Sequence, residues 1–356
     1  MKLEINEKNN ERIRIAEMLG QPDKVPVDFG LGSQFNFLSG WLNLDGRKYF
    51  CDPEYMLDAQ IKFIKRFNVN GVLGPNMGLA VEPSAFGARI FISKDQGPWA
   101  EPKINTIDEL KNYLDNYKEP DPYTAGNYPL FYSIYFYMRE RLGDEMLPKP
   151  MGMLGPIDTA CNVVSTSNAM LWIRTNPDLM HKLLGKITDF LLKVLEVKVE
   201  LFKPTDNDLG VFDDNTGFFS EADFKEFVIP YVKRIYDSYC SKDSRKVFHS
   251  DAPLKHVAHL LPEMGVNVLI SFDPKTDIAF FKEKIGDRVC LKGNVHPLKI
   301  MRNGTPVMVK EECKRQIEAA KKNGGYVLTT GGELTNGTPS ENIDAMIEAA
   351  EEYGAY

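Results

Sequence analysis

The sequence predicts a single (β/α)8 barrel over residues 1–356, with an inserted antiparallel hairpin near residues 88–104. Three observations carry that expectation. Short apolar runs alternate with helix-length segments along most of the chain, as parallel strands joined by helical crossovers require. The runs are continuously apolar rather than alternating, as in strands covered on both faces. In the C-terminal half, five strand-then-helix units follow one another without a break. A doubly wound open sheet is the rival, but no GxGxxG follows the first strand.

Taken in order, the first three strands are KVPVDFG (24–30), VNGVLGPN (69–76) and KPMGMLGP (149–156). ARIFISKDQGPWAEPKI (88–104) breaks the rhythm and reads as the hairpin, and the aromatic-rich YPLFYSIYFYMRERLG (128–143) as a core helix. Residues 177–202 place Leu183, Ile187, Phe190, Leu191, Val194 and Val197 at helical spacing. GVFDD (210–214) precedes Ser220, Glu221 and Asp223, a capping signal for a helix through about Tyr239. KVFHSD (246–251) should lead into a helix around 253–263, and VNVLISFD (266–273) into one around 276–284. RVCLKGNV (288–295) leads to a helix opening at Thr305-Pro306, with the cap oxygen and the proline where a helix start wants them. GYVLTTGGE (325–333) is followed by Thr338-Pro339-Ser340-Glu341, read as cap, proline and capping-box glutamate. The last helix then sets Ile343, Met346, Ile347 and Ala350 on one face.

Composition narrows the function classes. The formal charge is −7 with no basic block, which argues against nucleic acid or an anionic membrane as the main partner. The opening residues alternate charge with apolar side chains and resemble neither a signal peptide nor a membrane span. Five scattered cysteines with no CxxC pair read as reduced thiols of a cytoplasmic protein.

Barrel chemistry sits at the C-terminal ends of the strands. The residues expected there are Asp28, Asp213, Asp214, His249, Asp251, Asp273, Asn294, His296 and Glu333, a polar-lined mouth above apolar strands. Each has a plain structural reading beside the chemical one. His249 could be satisfied by Asp251 or a backbone carbonyl, and Asp251 could cap the helix expected after it. Asp213 and Asp214 could be a solvated loop pair, and Glu333 a surface charge. His181, His256, His259 and His296 read as core or surface histidines.

Several blocks together resemble the uroporphyrinogen decarboxylase superfamily, specifically its corrinoid-dependent methyltransferase branch. They are RIRIAEMLGQPDKVPVDFG, FDDNTGFFSEADFKEFVIPYVKRIYD, VFHSDAP, LLPEMGVNVLISFDPKTDIAFFKEKIGDRVCLKGNVHP and GGELTNGTPSENIDAMIEAAEEYG. The resemblance covers most of the chain and implies the same barrel. Decarboxylases of this superfamily grip their polyanionic substrate with an arginine-rich N-terminal segment, whereas no arginine stands between Val25 and Gly46 here. Relatives that methylate coenzyme M hold zinc on a His-x-Cys pair and a late cysteine. The matching positions read His249-Ser250-Asp251 and Gly332-Glu333.

The resemblance thus implies zinc on His249 and Glu333, with Asp251 as third ligand or as the group that orients the histidine, a harder set suited to an oxygen leaving group rather than a thiol. It implies a methyltransferase of the O-demethylase type, moving a methyl group from a small donor, such as an aryl methyl ether, to cobalt. With no DxHxxG signature in the chain, the cobalamin would come on a partner corrinoid protein. Asp213 and Asp214 are then candidates to protonate the leaving group, hold substrate or add a ligand, and Asp28 and Asn294 to bind substrate. The alternative is a cofactor-free decarboxylase of a smaller carboxylated substrate.

Overall fold

The computed structural model describes residues 6–143 and 151–356. Ten strands occur in it: β1 (Asp28–Phe29), β2 (Asn70–Gly71), β3 (Arg89–Phe91), β4 (Trp99–Glu101), β5 (Gly152–Leu154), β6 (Leu209–Phe212), β7 (Lys246–His249), β8 (Val268–Ile270), β9 (Cys290–Val295) and β10 (Tyr326–Thr330). Six of them form one parallel sheet in the order β10-β9-β8-β7-β6-β5. β1 pairs in parallel with β2. A parallel bridge between Val27 and Leu328 joins β1 to β10. The eight parallel strands therefore run around the ring of a (β/α)8 barrel; among the described residues the seam between β10 and β1 carries a single bridge and the seam between β2 and β5 no pairing. The insertion is the expected antiparallel hairpin of β3 and β4, with Phe91 and Trp99 stacked at 4.5 Å. Of the predicted third strand, Lys149 and Pro150 lie outside the described residues.

The long helix spans Pro177–Phe202, and Leu183, Ile187, Phe190, Leu191 and Val194 on it are fully buried. Ser220 caps the stretch that runs on to Tyr239, and Thr305 caps helix Pro306–Ala320 by accepting from the Met308 N–H. Two expectations fail. Residues 253–263 form turns with a single 3-10 segment, Ala258–Leu260, rather than a helix. Pro262 falls within the expected span and cannot donate a helical hydrogen bond, and the Asp273 carboxylate, which accepts from the Leu254 N–H at 2.9 Å, anchors the segment to the loop after β8. The last helix starts at Ser340 without a side-chain cap, because the Thr338 hydroxyl donates back to the Thr335 carbonyl instead.

Helix Glu7–Glu17 closes the N-terminal end of the barrel, where Ile13 and Ala16 pack on Val268, Cys290 and Val327. Its last residue carries a carboxylate inside. Glu17 meets Lys292 Nζ at 2.6 Å and the Arg245 guanidinium at 2.5 Å, and the same ammonium reaches Asp28 at 2.8 Å. This chain of charges climbs the barrel interior from its base to the end of β1. The burial cost of each ion is met only because its partners are in place.

Candidate functional site

His249 is the last residue of β7 and faces inward beside the Phe212 ring. Its Nδ1 lies 3.0 Å from the Ile270 carbonyl, which only accepts, so Nδ1 carries the hydrogen. That leaves Nε2 as the reactive nitrogen, 3.5 Å from Asp214 Oδ1. The backbone carbonyl reading of His249 is therefore true of one nitrogen, and the chemical reading stays open for the other.

Asp214 stands at the end of β6 with its side chain 40% exposed, and its Oδ1 also accepts from the Asp251 N–H at 2.9 Å. Asp251 has no helix to cap. Its carboxylate lies against Gly332, where an added Cβ would come within 3.2 Å of Oδ2. Gly332 itself has φ +138, a conformation that favours glycine. Burial, then the negative charge of Asp214, pushes the Asp251 carboxyl up, against the pull of His249.

Glu333 follows on the other side of Gly332. Its oxygens accept from the Asn36 backbone N–H and from Asn36 Nδ2, both at 2.7 Å, so it ties the strand end to the start of helix Phe35–Leu42. Burial raises its carboxyl to about 7, Asn36 opposes this, and the charge of Asp251 adds to it. Sequence reasoning missed Asn36, because nothing in the sequence links position 36 to 333.

The remaining candidates are engaged within the protein. Asp213 is fully buried, and its oxygens accept from the N–H groups of Asp158 at 2.6 Å and Ile157 at 3.3 Å, at the start of helix Pro156–Val164. Burial and the nearby Asp158 push its carboxyl well up. Asp28 is shared between Lys292 and the Gly30 N–H. Asn294 spends its side-chain amide on the carbonyls of Asp273 and Thr276, holding the loop after β8. Asp273 accepts from Lys275 and Thr276 within that loop and from Leu254 in the segment after β7. His296 caps the turn after β9 through Nδ1, leaving its Nε2–H outward.

Of the residues expected at the mouth, His249, Asp214 and Asp251 thus come together, and Glu333 lies near Asp251 across Gly332. Among the described residues no group of three or more His, Cys, Asp or Glu side chains is arranged to hold a metal ion. Each Glu333 oxygen accepts one hydrogen bond from Asn36, which orients the carboxylate and leaves a lone pair on both oxygens. What the cluster can do as it stands is hold and move protons beside a substrate on the barrel axis.

Comparison with known proteins places the chain. Residues 43–353 match the family described as uroporphyrinogen decarboxylase (URO-D). The uroporphyrinogen decarboxylase of Azoarcus sp. (strain BH72) is 25% identical over 310 residues, covering 85% of this chain and 83% of its own. The methylcobamide:CoM methyltransferase MtbA of Methanosarcina mazei is 26% identical over 256 residues, covering 70% and 69%. A solved methyltransferase from Methanosarcina mazei shares the fold, with a TM-score of 0.80 at 22% identity over 97% of this chain and 98% of its own. Among the described residues no helix is long and apolar enough to cross a membrane. With the family match running over most of its length, the chain belongs to the uroporphyrinogen decarboxylase family.

Proposed function

We propose that this protein is a methyltransferase that moves a methyl group from a small donor with an oxygen leaving group, such as an aryl methyl ether, to the cobalt of a separate corrinoid protein. The observation that carries the reading is the mouth itself. It holds a histidine with one fixed nitrogen, three carboxyl groups and, between Val25 and Gly46, no arginine to grip a polyanion. Similarity to a methylcobamide:CoM methyltransferase supports the same reading.

In this reading the protein acts mainly on the leaving group. As the methyl carbon leaves for cobalt, negative charge develops on the donor oxygen, and a nearby acid stabilises it by giving a proton. Glu333 suits that task, because a carboxyl raised to about 7 still carries its proton in much of the population at neutral pH. Burial keeps that carboxyl up, with a small addition from Asp251, and Asp214 holds the Asp251 backbone and faces His249. Phe212 lies beside the His249 ring and Ile270 on β8 pairs with His249, and such apolar neighbours suit an aryl group. No step here runs through a metal ion. Zinc on His249, Asp251 and Glu333 would draw on the remaining lone pairs of Glu333, a carboxylate that Asn36 orients. Metal analysis reads it directly: stoichiometric zinc lost in His249→Ala would establish that ion, and active metal-free protein would remove it.

To test the function, the purified protein is mixed with a reduced corrinoid protein and a panel of methyl donors, and methyl-cobalt is followed by absorbance. Formation with an O-methyl donor is expected. The competing reading, decarboxylation of a smaller carboxylated substrate, is favoured by relatives named uroporphyrinogen decarboxylase. Carbon dioxide release with no methyl-cobalt under any donor would replace the first reading by the second.

A further inference from the structure

Asp158 sits in the first turn of helix Pro156–Val164, right after β5, and its side chain is almost fully buried. A carboxylate there usually serves the N–H groups of its own helix. This one does not. Its Oδ2 accepts from the Asp214 N–H at 2.9 Å, and its Oδ1 from the Asn215 N–H and Asn215 Nδ2, both at 2.7 Å. The N–H groups of its own helix, those of Ile157 and Asp158, go instead to Asp213, from the end of β6. The two strand ends have exchanged caps.

An exchange of this kind achieves what two ordinary caps would not. Each turn would be equally satisfied by its own carboxylate, but only the crossed arrangement fixes the end of β5 against the end of β6. The residue it fixes most directly is Asp214, whose carboxylate faces His249 Nε2 and receives the Asp251 N–H. Gly155 has the shape this needs: a Cβ there would lie 2.3 Å from the Asp213 carboxyl.

We infer that Asp158 is a positioning residue, which sets the backbone of Asp214 and through it the alignment of Asp214 with His249. For its effect on rate the inference rests on the methyl-transfer reading; its effect on His249 does not.

The test uses protein labelled with 15N-histidine, with His249 assigned by its loss in His249→Gln. Asp158→Asn turns one acceptor oxygen into an N–H2 that meets a backbone N–H. In that variant the His249 ring resonances should move toward those of Asp214→Asn, while His181, His256, His259 and His296 stay and the circular dichroism is kept. In the methyl-transfer assay kcat should fall about a hundredfold with KM little changed. Should Asp158→Asn fail to fold, Asn215→Ala removes the side-chain donor to Asp158, together with an exposed acceptor for the Thr166 hydroxyl, and should give a smaller displacement in the same direction. His249 resonances unmoved in the folded Asp158 variant, or in Asn215→Ala, would overturn the inference. So would their staying in place in Asp214→Asn. If methyl transfer is absent but the resonances move, the positioning stands and the functional reading falls.

Discussion

Glu333 is the residue on which pH should act most visibly. Burial holds its folded carboxyl at about 7, against an ordinary value of 4.5. The folded chain therefore binds this proton more tightly than the unfolded chain. That contribution to stability is complete below about pH 4.5 and is lost as pH rises through about 7. Urea unfolding of wild type and Glu333→Gln across this range should show the variant losing less, by about 1–3 kcal/mol. Equal slopes would mean the carboxyl is not raised. In the transfer assay the same group gives up its proton as pH climbs, so the wild-type rate should decline above about pH 7. Residues of this scale were only partly legible in the sequence. His249, Asp251 and Glu333 could be chosen from their place at strand ends and from the resemblance. That Asp213 turns inward to a helix start while Asp214 turns to the mouth is set by β6 and its neighbour, and two identical residues side by side carry no sign of it. Asn36 and Asp158 were invisible for the same reason, since their partners lie far away in sequence.

At the scale of elements, the strand ends are held by side-chain exchanges more than by ladders. The contact between β5 and β6 depends on Gly155 being small. Gly155→Ala drives a methyl into the Asp213 carboxyl and should cost about 1–3 kcal/mol in urea unfolding. A loss within a few tenths would show that the two turns slide past each other freely. Element existence was well marked by apolar runs, as in β7 through β10, and by proline and capping oxygens, as at Thr305-Pro306. The misread segment, 253–263, has helix-forming composition but ends in Pro262 and surrenders the Leu254 N–H to Asp273. Helix propensity is a weak preference, and a loop anchored from a neighbouring strand end overrides it. The short first strands were legible as runs, yet β1 and β2 reduce to two residues each where the ring bends away from regular pairing.

For the whole molecule, the barrel interior divides into an apolar base plugged by helix Glu7–Glu17, a charged column above it, and the acid-lined mouth. Lys292 is the column's centre, since both Glu17 and Asp28 lean on its ammonium. Lys292→Ala leaves buried Asp28 without a cation and Glu17 with Arg245 alone, and should destabilise the protein by about 3–5 kcal/mol in urea unfolding. An unchanged midpoint would show that water already serves those carboxylates. The barrel and its inserted hairpin were legible from the order of strands and helices, because a covered parallel strand has to be apolar throughout. The charged column was not, since a lysine inside a strand reads as a surface residue until the strand's facing is known.

In the proposed reaction the site formed by His249, Asp214, Asp251 and Glu333 would hand a methyl group to cobalt with an acid at the leaving oxygen. Its most direct test offers a 13C-methyl ether to the protein with a reduced corrinoid protein and follows 13C NMR at neutral pH. The account expects the label to appear as methyl-cobalt, with release of the demethylated donor, and about a hundredfold slower in Glu333→Gln. Label that stays on the donor in wild type, or moves at the same rate in Glu333→Gln, would contradict it.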